Sequence, residues 1–207
     1  MGKLEGTILK KWLIPYFILV QALLIFRNVS ISDYSAFFWF CDFAPLFLAI
    51  AFYYKNDQLA KGIINVGLLA QLISIAGFLI FLIFGANIAG MATAFVHTPL
   101  QGSMFFLLHL TIPIALFFQR KTEPRITSLA YSATILLLLF LVSVIFTAPI
   151  DNMNNIYSST IIIGFTPPYY TPLWIFWTFI LVIVPTYYIQ RAVYSLTTHK
   201  KKKRRAL

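Results

Sequence analysis

Residues 101–125 read QGSMFFLLHLTIPIALFFQRKTEPR, a stretch in which His109 is the one ionisable side chain before Arg120, Lys121 and Arg125 arrive together. A helix rising 1.5 Å per residue covers about 27 Å over the apolar part, close to the roughly 30 Å of hydrocarbon in a bilayer. The stretch therefore reads as a membrane span with a basic flank. Working outward, the same grammar repeats: apolar runs near 12–27, 34–54, 61–84, 127–148 and 173–191 join 101–119 to make six spans. Of the 16 Lys and Arg residues, 15 fall in the segments that this topology puts on one side. Lys3, Lys10 and Lys11 precede the first span, Lys55 and Lys61 lie at the second connection, and Arg191 with the run Lys200 to Arg205 follows the sixth. Arg27, at the far end of span one, is the exception. Basic loops stay cytoplasmic, so both termini are expected inside.

Composition leads to the same class. With 60% hydrophobic and 11% charged residues in 207, the chain has more apolar surface than a soluble core of this size can hide. The expectation is an all-α, multi-pass integral membrane protein: one six-transmembrane helix bundle over 1–192, then a basic cytoplasmic tail over 193–207. Lys10 and Lys11 before an apolar run imitate a signal peptide, but no small-residue cleavage site follows, so the run reads as a span. The net charge of +10 invites nucleic acid as a partner. A basic run beside a membrane is better matched to anionic lipid headgroups, at about 1 kcal/mol per cation. Membrane lipids are thus the expected partners, and nucleic acid is not. One cysteine excludes an internal disulfide, and no Cys/His spacing resembles a zinc site, so neither metal nor cofactor is expected. Asn28-Val29-Ser30 fits a glycosylation acceptor, although it touches the membrane end.

Ionisable groups inside a span are costly and mark functional candidates. Span two carries Cys41 and Asp42, and span four carries His109. Counted from Tyr34 and from Gln101, Cys41 and His109 both lie roughly 10–12 Å below the outer surface. Pro45 and Pro113 each stand four residues after them, so the carbonyls of Cys41 and His109 both lose their usual helical partner. In a membrane such groups must be satisfied again by a neighbouring helix, a side chain or water, which favours a polar cavity at this level. The connection 149–172 holds Asp151, Asn152, Asn154, Asn155, an apolar run Ile161 to Phe165 and a Pro-Pro-Tyr-Tyr stretch, and reads as a lid over the outer end. His97 lies in the other outer loop.

A thiol needs a base before it becomes a nucleophile. His109 is placed to take the proton of Cys41 and return it to a leaving alcohol, which is the minimal arrangement for acyl transfer. Asp42 is expected to orient the imidazole. It stands about 100° around the helix from Cys41, so one of the two can instead face a neighbouring helix. Candidate oxyanion and substrate contacts are Trp39, Tyr34, Asn152 and Asn155.

A Cys-Asp pair after an aromatic run in span two, Leu107-Leu108-His109 in span four and an Asn-containing loop before the last span together resemble the YwaF-like integral membrane proteins. The resemblance covers roughly residues 34 to 190, with departures at Phe40 and Leu110. Relatives of that group include an acyltransferase that moves fatty acyl chains between phospholipids and the androgen-induced Thr/His lipid hydrolases. The resemblance implies that Cys41 is the acylated nucleophile and His109 its partner. The expected function is therefore a lipid acyltransferase or fatty-acyl ester hydrolase working in the outer half of the membrane. The competing expectation is a non-catalytic membrane protein that binds a lipid or a protein through an aromatic-lined outer cavity.

Overall fold

The computed structural model describes residues 2–30, 32, 34–85, 99–149, 152–157 and 169–203. It is all-helical, with no strand among the described residues. The order is α1 (Gly2–Ser30), a 3-10 turn (Ser35–Phe38), α2 (Phe40–Tyr53), α3 (Asp57–Phe84), α4 (Pro99–Gln119), α5 (Ile126–Phe146), a second 3-10 turn (Met153–Asn155), α6 (Trp174–Thr178) and α7 (Val184–Lys203). Among the described residues, five helical stretches are long and apolar enough to cross a membrane: Trp12–Ser30, Asp57–Phe84, Gly102–Gln119, Ile126–Phe146 and the run Trp174–Thr198.

The second expected span is the one that changes. Residues 34–54 were expected to form one helix, yet α2 begins at Phe40 and has 14 residues, about 21 Å of rise. That is short of a full crossing on its own. The break falls at Trp39, whose extended backbone (φ −72°, ψ 136°) separates α2 from the 3-10 turn before it. The cause is a long-range clamp: the Asn154 side chain accepts from Phe40 N at 2.8 Å and donates to Phe38 O at 2.8 Å. Cys41 and Asp42 are therefore the second and third residues of a helix, not groups two turns inside one.

α3 is the central helix. Asn56 starts it by accepting from Leu59 N at 3.0 Å, and Gly85 ends it in the left-handed region (φ 65°) where a Cβ would be penalised. Every residue from Ala60 to Leu68 is buried, because α2, α4, α5 and α7 all pack on this segment. Two glycines permit the contacts. A Cβ on Gly62 would stand 2.7 Å from Tyr131 Cβ and 3.0 Å from Ser128 O on α5, and one on Gly67 would stand 2.6 Å from the Phe40 ring and also meet Ile112 on α4. The main core joins Phe17, Leu48, Ile63, Ile64, Leu68, Ile112, Leu136 and Ile183.

Lys61, read from sequence as part of a basic connection, is fully buried one turn into α3. Around it lies a ladder of amides and hydroxyls. Gln119 Nε2 donates to Asp57 Oδ1 at 2.8 Å, and Gln190 Nε2 donates to Asn65 Oδ1 at 2.6 Å and to Lys61 O at 3.1 Å. Asn65 Nδ2 donates to Ser132 Oγ at 3.2 Å. In a dry environment these bonds join α3 to α4, α5 and α7 at about 0.6 kcal/mol apiece, with an upper value near 1.7. From α6 the chain runs through one π-helical turn, Phe179–Ile183, into α7. Pro185 would press on the carbonyl of Leu181, and the wider turn makes room for it.

Candidate functional site

The opposite end of the bundle from Lys61 collects the polar residues that the sequence marks as chemical. α1 presents one face there: Leu13, Phe17, Val20, Leu24 and Asn28 are all buried, a spacing of three and four that follows the helical repeat. Asn28 closes that stripe. Its side chain is wholly inaccessible and donates to Asp42 Oδ2 at 2.6 Å, so the Asn-Val-Ser acceptor is not available to a glycan in this fold. Arg27, in the last turn of α1, donates through Nη1 to Asn28 Oδ1 at 3.2 Å. A relay of Arg27, Asn28 and Asp42 thus runs from α1 to the start of α2.

Cys41 sits at the near end of this relay. Its thiol donates to Asp42 Oδ1 at 3.6 Å, and it packs with Tyr16 against Val20, Leu24 and Leu108. The angle of about 100° between neighbouring helical residues does not keep the pair apart, since the carboxylate turns one oxygen to Asn28 and the other to the thiol. At the first turn of α2 the Asp42 N–H donates to Trp39 O at 3.0 Å.

His109 stands on α4, buried against Phe105, with ring centroids 3.9 Å apart. Its Nδ1 lies 2.8 Å from Phe105 O. A carbonyl can only accept, so Nδ1 carries the proton and Nε2 of the neutral ring keeps its lone pair. Among the described residues no hydrogen bond joins His109 to Cys41 or to Asp42. Nδ1 of the imidazole is thus held by Phe105, while Asp42 accepts from the Cys41 thiol and from Asn28.

Of the four expected substrate contacts, Tyr34 is exposed and Trp39 is half-buried at the break before α2. Asn152 accepts from Tyr157 N at 3.0 Å and so closes its own turn, and Asn155 O accepts from Tyr170 OH at 3.0 Å. Asn154, by contrast, reaches α2 and also donates to Ser143 Oγ on α5 at 2.9 Å. Asn152, Asn154 and Asn155 all have positive φ, between 44° and 58°, which explains the asparagine-rich composition, because Asn tolerates the left-handed region better than other non-glycine residues. Asp151, Ile161 to Phe165 and Pro167-Pro168, which belong to the expected lid, lie outside the described residues, as does His97 of the other outer loop.

Beside each proline a glutamine oxygen accepts from a backbone N–H, not from the carbonyl that the proline sets free. Leu46 N, beside Pro45, donates to Gln21 Oε1 of α1 at 3.2 Å. Ile112 N, beside Pro113, donates to Gln71 Oε1 of α3 at 3.1 Å, while Thr111 Oγ1 donates to Leu108 O at 2.7 Å. Gln21, Gln71 and Asn28 were not singled out from sequence. A polar residue on an otherwise apolar helical face was the signal available. No family model, curated protein or solved structure matches the chain.

Proposed function

We propose that this protein is a lipid acyltransferase or fatty-acyl ester hydrolase whose nucleophile is Cys41. The observation that carries the reading is the bond from the Cys41 thiol to a carboxylate that is itself held by Asn28, at the N-terminal turn of a helix. In the proposed reaction the thiol proton passes to Asp42, and the sulfur attacks an ester carbonyl to form a carbon–sulfur bond. The alkoxide leaves as the carbon–oxygen bond breaks and takes that proton. The resulting thioester is then attacked by water or a second alcohol, whose proton goes to Nε2 of His109; the carbon–sulfur bond breaks as the new carbon–oxygen bond forms, the acid or new ester leaves, and the Cys41 thiolate takes the proton back. The base next to the nucleophile is thus Asp42, and His109 serves the second step. The likeness to the YwaF-like proteins in the Cys-Asp and Leu-Leu-His motifs is in keeping with this reading.

The same proposal has a topology. The 3-10 turn and α2 together supply a sixth crossing, and the distribution of Lys and Arg places both termini and the Lys61 end inside. The Cys41 end then faces the outer leaflet, and anionic headgroups meet the Lys200 to Arg205 run inside.

The test is acylation of the full chain by an alkyne-tagged fatty-acyl ester. Label that is released by hydroxylamine and absent in Cys41→Ala is expected. Asp42→Asn is expected to slow acylation by about 10²–10⁴, the range for a lost general base, and His109→Ala to leave acylation intact while slowing release. Absence of label on Cys41, with lipid still retained by the protein, would favour the competing reading of a non-catalytic lipid-binding protein, in which the relay is a structural anchor for α1 and α2.

A further inference from the structure

Arg27 is the one cation that the charge distribution leaves on the Cys41 side, and the reaction proposed above makes no use of it. A cation in the last turn of a helix offsets the helix dipole, and that alone would account for a solvated lysine or arginine. Arg27 is placed differently. It is half-buried, its Nη1 is committed to Asn28 Oδ1, and its Nε is shielded from solvent with no hydrogen-bond partner. A shielded donor on a charged group is expensive to leave unfilled. Among the described residues no ion pair joins it to Asp42, whose two oxygens are taken by Asn28 and by the Cys41 thiol.

A fixed positive charge with an unused N–H, joined through Asn28 to the carboxylate that holds the thiol, is suited to an oxyanion. We propose that Arg27 is the anion-recognition residue of this site, so that the lipid it accepts carries a phosphate or carboxylate close to the ester. Guanidinium meets both groups through paired N–H donors, which an ammonium cannot reproduce. Neutral esters of the same chain length would lack that contact. The inference deepens the acyl-transfer reading and rests on its placement of the site.

Cys41, as the single cysteine, reports on occupancy without any turnover. The rate at which a lipid-soluble maleimide alkylates Cys41 would be measured on the full chain in neutral detergent, with dodecyl phosphate, dodecanoate or dodecanol added in turn. Anions bound at the basic tail leave Cys41 untouched and do not enter the readout. The anions are expected to protect at concentrations about tenfold lower than dodecanol, the effect of one hydrogen bond to a charged group. Protection by the phosphate alone would assign a phosphate headgroup, and protection by both would assign any terminal oxyanion. Arg27→Gln should bring the anions to the level of dodecanol, and Arg27→Lys should keep part of the difference. Equal protection by all three amphiphiles on the parent protein, or undiminished preference in Arg27→Gln, would overturn the proposal. Protection that depends on Arg27 with no acyl-Cys41 ever formed would keep the anion site and remove the enzymatic reading instead.

Discussion

Asn154 decides where α2 begins, and its replacement can be worked through bond by bond. Its carboxamide makes three hydrogen bonds: from Phe40 N at 2.8 Å, to Phe38 O at 2.8 Å and to Ser143 Oγ at 2.9 Å. At about 1 kcal/mol net for each, Asn154→Gly should cost about 3 kcal/mol. Asn154→Ala loses the same bonds and keeps a Cβ at φ 53°, a strain of about 1–2 kcal/mol from which the glycine variant is free. The alanine variant should therefore be the less stable of the two, by about that margin, reversing the usual order in which glycine is the costlier residue. The assay is reversible unfolding in mixed micelles followed by tryptophan fluorescence, with hydrogen exchange at the Phe40 amide as the local probe. Exchange at Phe40 should rise in both variants, and maleimide should reach Cys41 faster because the first turn of α2 is no longer held. A loss below about 1 kcal/mol in both variants would refute the clamp. Alanine proving more stable than glycine would refute the left-handed geometry.

Other outcomes follow from the same contacts. Gly62→Ala should destabilise by about 1–3 kcal/mol, and by more than Gly67→Ala, because Gly62 faces the backbone of α5 whereas Gly67 faces a phenyl ring and a methyl end that can shift; the same unfolding assay reads both. Gln71→Leu should cost about 1–3 kcal/mol by orphaning Ile112 N, whereas Gln71→Glu, which keeps an acceptor at that position, should cost less than Gln71→Leu unless the charge goes unpaired. Lys61→Met should be tolerated better than Lys61→Ala, since the stem volume is kept in a site with no exposure; equal losses would show that the charge rather than the volume is what matters. Single cysteines introduced at Tyr169 and at Lys121 in a Cys41→Ser background should react with an impermeant reagent from outside and from inside respectively, and the opposite pattern would reverse the proposed orientation.

The site was legible in the sequence as far as residue type goes, and less so in its connections. Cys41, Asp42 and His109 stand out because ionisable and thiol groups are rare in apolar spans. Their partners do not stand out in that way. Asn28 lay inside a motif that suggests a surface, yet is buried on Asp42. Asn152 and Asn155 looked as suitable as Asn154, and what separates them is which carboxamide the left-handed turns aim at α2. Gln21 and Gln71 gain meaning only once Leu46 and Ile112 are brought against them.

Sequence alone determined the all-helical class and the apolar segments, because each depends on the side chains within a single window and on the cost of placing them in hydrocarbon. It also marked both prolines as points where backbone groups would be set free. Only the tertiary structure decided that Gln21 and Gln71 take the N–H groups beside them, and where α2 starts. Residues 34–54 have enough apolar character for one continuous span, and nothing within that window breaks it at Trp39. The break comes from Asn154, more than a hundred residues away, which offers Phe40 N and Phe38 O better partners than a continued helix would. Pairing Cys41 with Asp42 rather than His109 has the same origin: helix periodicity sets the direction of each side chain, but packing of α1 against α2 brings Asn28 to the carboxylate and leaves its second oxygen to the thiol.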